Sequence, residues 1–312
     1  MYAFGVGLVG REPIEGLLAG PGPQPTRRTV VRLGDPRSVE RVWPGAEARR
    51  LIERRRPDGR LFVAVDHAPS GGYRIEAPEY GVHVVSPDGE TWTGAPVAGP
   101  AWHWQKLVFA QVLPTVAVLQ GLEVFHASAV AIAQRAYGLI APSGMGKSST
   151  AAHLIAEGAR FLADDVLAVE QVSGRLVAHP GPQVVHAHGH EVDAMSPSGR
   201  SRLGTLLGES DKRHLRPSGA PEALPLAALL FLTRASAGPP VRVDRVDPDP
   251  RLLLVSTYAP HVTSDQRLER QLAVCATLDQ QVPQWKVTAG GGATAREVAA
   301  ALWRRFAGDD PA

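Results

Sequence analysis

A glycine-rich segment with a single lysine is the most informative chemical feature of the sequence. Residues 141–148 read Ala-Pro-Ser-Gly-Met-Gly-Lys-Ser, which matches the Walker A phosphate-loop pattern G-x-x-x-x-G-K-[ST] except at its first position. In such a loop the backbone N–H groups converge on phosphate oxygens, and the following helix presents the positive end of its dipole to them. The pattern predicts binding of a nucleoside triphosphate with magnesium.

The residues of this segment have separate expected roles. Lys147 can reach the β and γ phosphates, and the Ser148 hydroxyl can ligate Mg²⁺. The residues expected to hold the nucleotide are Ser143, Gly144, Met145, Gly146, Lys147, Ser148 and Ser149. A fortuitous glycine turn between a strand and a helix is the alternative. Ala141 stands where the pattern has glycine, and it would be strained if that position requires a positive φ.

Two adjacent carboxylates follow within an apolar segment. Residues 161–167 read Phe-Leu-Ala-Asp-Asp-Val-Leu. Burial of neighbouring carboxylates costs free energy unless a metal or hydrogen bonds compensate, so Asp164 and Asp165 favour a functional role. The expected roles are a general base toward an acceptor hydroxyl and a contact to magnesium. A solvated turn between two strands is the structural alternative.

Together with His126, these motifs resemble the catalytic core of HPr kinase/phosphorylase and of its kinase-only relatives, such as the lasso-peptide kinases. The matching features are His126 upstream of the loop, the Ser-Gly-x-Gly-Lys-Ser form of the loop, and the Ala-Asp-Asp triplet that ends at Asp165. The resemblance implies that Asp164 takes the hydroxyl proton, that Asp165 lies close to magnesium, and that His126 lies near the transferring phosphate. A hydrogen-bonded strand histidine is the alternative for His126.

The resemblance also implies a fold and an activity. The implied fold is an α/β phosphate-loop nucleotide domain of the HPr kinase and phosphoenolpyruvate carboxykinase type, with a mixed sheet, preceded by a smaller α+β region. The implied activity is an ATP-dependent, Mg²⁺-dependent kinase that phosphorylates a serine-type hydroxyl of a peptide, protein or small molecule. Residues 172–217 contain no counterpart of the glycine-rich segment, or of its acidic metal ligand, that the bifunctional enzymes carry. Neither HPr as acceptor nor phosphorylase activity is therefore expected.

Two other classes of function remain open at this point. The chain could be a nucleotide-dependent ATPase or switch, with water as the only phosphate acceptor. It could also be a non-catalytic nucleotide-binding module in which the aspartate pair is structural.

The elements that must position these residues follow from apolar periodicity and turn residues. An apolar hairpin leads into the loop, a helix follows it, and the aspartate pair lies in the next strand. Over the predicted nucleotide domain, residues 101–312, the expected helices are 102–121 with a kink at Pro114, 147–157, 265–278 and 295–306, and the expected strands are 124–133, 137–140, 160–169, 227–232 and 252–256.

The first hundred residues read differently. Short β-rich runs at 29–33, 60–65 and 81–85 are bounded by Gly, Pro or Asp, which is typical of strands joined by tight turns. One helix is expected at 46–56, after Pro44-Gly45. We therefore predict an N-terminal α+β region, residues 1–100, as a candidate for acceptor recognition.

Composition excludes several classes of protein. Of the 312 residues, 44% are hydrophobic and 21% charged, and the net charge of +2 gives no indication of nucleic-acid binding. The single cysteine, Cys275, excludes an internal disulfide and a thiolate zinc site. No basic leader and no apolar run of membrane-spanning length are found. The expectation is a cytoplasmic protein without nucleic-acid or membrane partners, with homo-oligomerisation left open.

Two further groups of residues carry weaker predictions. His186, His188 and His190 alternate, which on a strand would place three imidazoles on one face, suited to zinc or nickel. A surface or substrate-facing loop is the preferred interpretation of that segment. Arg213 lies in a basic Asp-Lys-Arg element that resembles one in the kinase-only relatives, and contact with phosphate and an exposed loop are the two alternatives for it.

Overall fold

The computed structural model describes residues 1–18, 26–219, 222–238 and 240–308. Within these ranges, no helix combines the length and apolar character needed to cross a membrane. The chain forms two compact units. The first consists of Met1–Val124 and Ala259–Arg270, and the second of Phe125–Tyr258 and Gln271–Ala312.

The first unit is built on an eight-stranded sheet. Its strands are β1 (Tyr2–Ala3), β2 (Val6–Val9), β3 (Arg28–Leu33), β4 (Arg49–Arg55), β5 (Leu61–His67), β6 (Tyr73–Ala77), β7 (Gly81–Val85) and β8 (Thr91–Pro96). They lie in the order β1-β2-β3-β8-β7-β6-β5-β4. The pairs β2–β3 and β3–β8 are parallel, and the other neighbours are antiparallel.

The helices of this unit are α1 (Pro36–Val42), α2 (Ala101–Leu107) and α3 (Leu113–Leu119). The helix expected at 102–121 is present as α2 and α3, joined by a π-helical turn over Val108–Val112. The irregularity lies directly before Pro114, which has no N–H to donate to the preceding turn.

The prediction of a helix at 46–56 is wrong, because these residues form β4, antiparallel to β5. Leu51 and Ile52 are the only large apolar residues of this arginine-rich segment, too few to establish a period. Cross-strand pairing decides the structure instead, and an ion pair between Arg50 and Asp66 links the two strands.

A buried carboxylate ties the two chain segments of the first unit together. Glu123 is fully buried, and its side chain accepts a hydrogen bond from Arg270 at 3.0 Å. Arg267, itself buried, lies 3.5 Å from the other carboxylate oxygen. Burial raises the pKa of Glu123, although both arginines act in the opposite direction. The segment Ala259–Arg270 therefore supplies the cations that this carboxylate needs.

Two buried histidines should make the first unit sensitive to acid. Trp92 Nε1 donates to His83 Nδ1 at 3.1 Å, and His261 Nε2 lies 2.9 Å from the Thr115 hydroxyl. Burial lowers the pKa of His83 to about 3 and that of His261 to about 4. In the unfolded chain both protonate near the ordinary value of 6.5. The unfolded state therefore binds more protons below that pH.

We accordingly expect stability to fall as the pH drops from 6.5 toward 4, by roughly 2–3 kcal/mol per histidine. The measurement is hydrogen exchange of β7 and β8 across this pH range, corrected for the intrinsic exchange rate. His83→Gln and His261→Gln should each flatten the profile. An unchanged pH slope in both variants would contradict the assignment.

The second unit contains a mixed sheet of nine strands and an antiparallel sheet of three. In the described residues its strands are β9 (Glu123–Phe125), β10 (Ala127–Ile132), β11 (Arg135–Ile140), β12 (Arg160–Ala163), β13 (Leu167–Val172), β14 (Arg175–His179), β15 (Val185–Ala187), β16 (Thr205–Glu209), β17 (Arg213–Arg216), β18 (Leu224–Arg234), β19 (Val241–Val246) and β20 (Gln284–Ala289). Its helices are α4 (Lys147–Glu157), α5 (Gly189–Asp193), α6 (Pro197–Leu203), α7 (Pro250–Val255), α8 (Asp265–Gln281) and α9 (Ala295–Phe306). The chain enters this unit within β9, and the boundary between the units also falls within α8.

The larger sheet has the order β12-β10-β11-β18-β14-β13-β9, with β20 beside β18 and β19 beside β20. The pairs β11–β18 and β18–β20 are parallel. The pairs β10–β11, β10–β12, β13–β14, β14–β18 and β19–β20 are antiparallel. The prediction of an α/β protein with a mixed sheet is confirmed. The carboxyl ends of β11, β18 and β20 meet at one edge of this sheet.

Helices cover both faces of the larger sheet. Along β18, Leu230 and Leu232 belong to a core cluster that includes residues of α4 and α9. Leu229 and Phe231 belong to a second cluster with Val274 and other residues of α8. This alternation is the pattern of a strand buried on both faces, and it fixes the register of the sheet.

Among the other predicted elements of this unit, α4 and α9 are confirmed at both ends. The predicted strand at 252–256 is wrong, because Pro250–Val255 is a helix. The Asp249 side chain accepts a hydrogen bond from Arg251 N at the start of that helix. A short apolar run cannot distinguish strand from helix by periodicity, and here the Asp-Pro start signal decides.

Candidate active site

The glycine loop, residues 141–146, connects β11 to α4. Gly144 and Gly146 have φ values of 82° and 92°, in the left-handed region that residues with a side chain rarely adopt. Gly146 is also the N-cap of α4, so that Lys147 is the first residue of the helix. The strand–loop–helix order that the motif requires is present, with the helix N-terminus facing the loop.

Ala141, the departure from the motif, is accommodated without strain. Its backbone φ is not positive, and its side chain is buried in the core beside helix α4. The glycine of the pattern is therefore not needed here for its backbone freedom.

We expect Ala141→Gly to leave nucleotide affinity unchanged and to lower the free energy of unfolding by about 0.5–1 kcal/mol, since glycine adds freedom to the unfolded chain. Calorimetric binding and chemical denaturation measure the two effects. Ala136→Gly, at a buried alanine of β11 outside the loop, is the matched control. A large gain in affinity for Ala141→Gly alone would show that the alanine does strain the loop.

The Lys147 ammonium is held at the start of the loop. Its Nζ donates to the carbonyl oxygen of Ala141 at 2.7 Å and lies 3.4 Å from that of Pro142. It also lies 3.1 Å from His126 Nε2. The residue is only 5% exposed, and burial lowers the pKa of Lys147. The loop thus directs its lysine back along its own backbone, toward His126.

His126 links the lysine to the aspartate pair. Because an ammonium group has only donors, His126 Nε2 accepts from Lys147, and Nδ1 therefore carries the ring proton. Nδ1 donates to the backbone carbonyl oxygen of Asp165 at 3.0 Å. Burial lowers the pKa of His126, and the Lys147 charge lowers it further. The ring also stacks on Tyr258, with centroids 5.9 Å apart. His126 is fixed as a neutral acceptor at neutral pH.

Asp164 is buried and fully hydrogen-bonded. One carboxylate oxygen accepts from the Ser128 hydroxyl at 2.6 Å and from the Asp165 amide at 3.1 Å. The other accepts from the backbone N–H and from the ring Nδ1 of His186, at 3.0 and 3.1 Å. The side chain exposes 0% of its surface. This carboxylate therefore positions Ser128 and His186 and offers no free face to another molecule.

The pKa shifts of Asp164 and His186 favour an ion pair. Burial alone would raise the pKa of Asp164, but the hydrogen bonds and charge of His186, with that of Ser128, bring it below its ordinary value. Burial opposes protonation of His186, yet the Asp164 carboxylate raises the pKa of the imidazole above its ordinary value. Each group stabilises the charged form of the other.

Asp165 differs from Asp164 in backbone conformation, in exposure and in the direction of its pKa shift. Its φ of 64° lies in the left-handed region, which turns the backbone between β12 and β13. The side chain is 50% exposed and lies 3.9 Å from His186 Nδ1. Partial burial of the carboxyl group, and next the charge of Asp164, raise the pKa of Asp165. Of the two carboxylates, this one is accessible.

The other residues predicted to bind the nucleotide differ in exposure and in their contacts. Ser143 and Gly144 are exposed, and Ser148 is half-buried in the first turn of α4. Met145 packs against the core. The Ser149 hydroxyl donates to the Glu191 carboxylate at 2.8 Å, so a residue predicted to bind nucleotide is engaged by an acidic side chain.

Several residues around the site were not assigned from the sequence. Ser128 is recognisable as a buried polar residue in an otherwise apolar strand, whereas the sequence predicts a surface or substrate-facing loop for His186, with a metal ligand as the alternative. The charge of Lys212 acts on Lys147, Asp165 and His186, so this lysine lies near the site. Its neighbour Arg213, the residue named from the sequence, is instead paired with Asp193 at 2.6 Å and with Glu209. Nothing in the sequence distinguishes Lys212 from Arg213 in this role.

The three alternating histidines do not share one strand face. His186 lies in β15, His188 is the N-cap of α5, and His190 lies within α5. Among the described residues, no group of three or more His, Cys, Asp or Glu side chains is arranged to hold a metal ion. The strand-face geometry suggested for zinc or nickel is therefore wrong.

The comparisons with known proteins find similarity among solved structures. No protein-family model matches the chain, and no curated protein matches it in sequence. Among solved structures, it is similar to the Hpr(Ser) kinase/phosphatase from Coxiella burnetii, with 13% sequence identity over 58% of this chain and 96% of that one, and a TM-score of 0.28. This is a distant structural similarity, too weak to assign any residue.

Proposed function

We propose that the chain is a kinase that transfers the γ-phosphoryl group of ATP to a hydroxyl of a peptide, protein or small molecule. The observation that carries the proposal is the convergence of Lys147, His126 and Asp165 at the N-terminus of the helix that follows the glycine loop. A lysine on a phosphate loop, on which the charge of an accessible carboxylate acts, suits phosphoryl transfer to an acceptor.

In this proposal the glycine-loop amides and Lys147 bind the β and γ phosphates. The neutral His126 holds the lysine and, through the Asp165 carbonyl oxygen, the backbone of the acidic turn. The acceptor oxygen forms its bond to the γ-phosphorus as the bond to the bridging oxygen of ADP breaks. Catalysis then rests mainly on positioning and on neutralisation of phosphate charge.

The geometry favours Asp165, and not Asp164, as the carboxylate that receives the acceptor's proton. Asp164 has all its hydrogen bonds within the protein, whereas the Asp165 side chain is half-exposed and within reach of another molecule. Asp164 would then be a positioning residue. This differs from the family resemblance, which implies Asp164 as the base, and that assignment remains a prediction to be tested against the present one.

The residues present fit a magnesium ion that is bound mainly through the nucleotide. Mg²⁺ commonly takes only one or two protein ligands and completes its shell with phosphate oxygens and water. The Ser148 hydroxyl and one oxygen of the accessible Asp165 carboxylate are donors of that kind, and the other Asp165 oxygen is left to accept the proton. The ion would neutralise phosphate charge, and its presence would restrain Asp165 beside the phosphates.

The test is transfer of labelled γ-phosphate from ATP to a panel of peptides and hydroxyl metabolites, with products identified by mass spectrometry. We expect label on an acceptor hydroxyl, dependent on Mg²⁺. Release of free phosphate without a labelled acceptor, stimulated by a partner, would favour a nucleotide-dependent ATPase or switch. Tight ATP binding with no turnover under any condition would favour a non-catalytic module.

A further inference from the structure

A cleft of the second unit runs alongside α4 and is not used by the phosphate chemistry. Its volume is about 450 Å³, and its walls come from α4, from α5 with the residues that follow it, and from the start of α9. Its lining side chains include those of His153, His190, Glu191, Ala194 and Arg296. The volume lies within the range of clefts that bind small organic molecules.

The cleft is connected to the first turn of α4 through Glu191. Ser149, in the first turn of α4, donates to Glu191 at 2.8 Å, and Glu191 forms part of the cleft wall. His153 lies one turn further along the same helix face, and the charges of Glu191 and Arg296 both act on its ring. One wall of the cleft is therefore tied to the helix turn that directly follows the glycine loop.

An arginine connects the loop to the opposite wall. Arg234, the last residue of β18, donates from Nη1 to the Ala293 carbonyl oxygen at 3.0 Å, just before the N-cap of α9. Its Nη2 lies 3.7 Å from the position that a Cβ would take on Gly146. The guanidinium thus lies between the glycine loop and the start of α9, at the edge where the parallel strands end.

We propose that this cleft binds the nucleoside of the triphosphate, with Glu191 accepting hydrogen bonds from the ribose hydroxyls. The inference rests on the proposed function, since it assigns the rest of the same substrate. A carboxylate repels phosphates but suits neutral hydroxyl donors, as in other nucleotide sites where an acidic residue binds the ribose. The imidazoles of His153 and His190 line the cleft and supply aromatic rings for packing against a base, and Arg234 is placed for the α-phosphate.

The experiment compares calorimetric binding of ATP, 2′-deoxy-ATP and inorganic tripolyphosphate, each with Mg²⁺. Ala194→Trp places an indole in the cleft, and Ala307→Trp, at the C-cap of α9 outside it, is the matched control. We expect Ala194→Trp to weaken ATP about tenfold or more and to leave tripolyphosphate unchanged, whereas Ala307→Trp changes neither.

A second variant tests the ribose contact without filling the cleft. Wild type should bind ATP more tightly than 2′-deoxy-ATP, and Glu191→Gln should remove most of that preference while tripolyphosphate binding is kept. The cleft assignment is overturned if ATP and tripolyphosphate bind wild type equally, or if Ala194→Trp weakens both alike. If wild type binds neither compound, the phosphate loop itself is misassigned and the proposed kinase fails.

Discussion

Replacement of Lys147 by methionine is expected to lower kcat/KM for phosphoryl transfer by at least about 10²- to 10³-fold, the scale of losing one preorganised charge-stabilising donor. Lys147 is the buried cation at the N-terminus of α4, and its ammonium is already held beside the loop carbonyls and His126. Methionine keeps the length of the side chain and removes the charge. The measurement is the initial rate of label transfer to the best acceptor found.

Lys286→Met is the matched control for this substitution. Lys286 is an exposed lysine of β20, outside the proposed site, and its replacement should leave transfer unchanged. Circular dichroism and thermal unfolding of both variants establish that they are folded. Transfer by Lys147→Met at more than a tenth of the wild-type rate would remove the lysine from the proposed mechanism.

The second prediction distinguishes the roles of Asp164 and Asp165 by their replacement with asparagine. Asp165→Asn is expected to lower the transfer rate by about 10²- to 10⁴-fold, the range for loss of a general base, with little change in stability because the side chain is half-exposed. Asp164→Asn is expected to lower the free energy of unfolding by about 3–5 kcal/mol. It removes the carboxylate that is hydrogen-bonded to His186 and raises its pKa, and it turns an amide N–H₂ toward existing donors.

Denaturant unfolding and single-turnover transfer, measured on both variants, distinguish the two roles. The informative comparison is the transfer rate per folded molecule. It is measured without denaturant, at a temperature well below the thermal unfolding midpoint of each variant. If Asp164→Asn is as stable as wild type but inactive, while Asp165→Asn retains most of its transfer, then Asp164 is the base, as the family resemblance implies.

Much of the nucleotide-loop region could be predicted because its signals are local. The glycine loop, the helix that starts at Lys147 and the capped helix α9 each carry their own start signals, such as the Thr294–Glu297 capping box. The errors occurred where tertiary contacts decide. Residues 49–55 consist of good helix formers and arginines, yet they pair as a strand with β5.

The interior of the site could not be predicted, for a geometric reason. An ideal strand places Asp164 and Asp165 on opposite faces, but it does not say which carboxylate is buried. The left-handed backbone at Asp165 interrupts the strand, and the partner of Asp164 comes from β15, distant in sequence. Contacts of this kind leave no pattern in a single sequence.

The first unit is built from two segments that are far apart in the sequence, and this affects folding during synthesis. A ribosome releases residues in order, and domains usually fold as soon as their last residue emerges. Here Glu123 emerges well before Arg267 and Arg270, the cations that its buried carboxylate contacts. Until those arginines follow, the nascent N-terminal unit would hold an uncompensated carboxylate, which is strongly unfavourable. The second unit must therefore be largely synthesised before the first can finish folding.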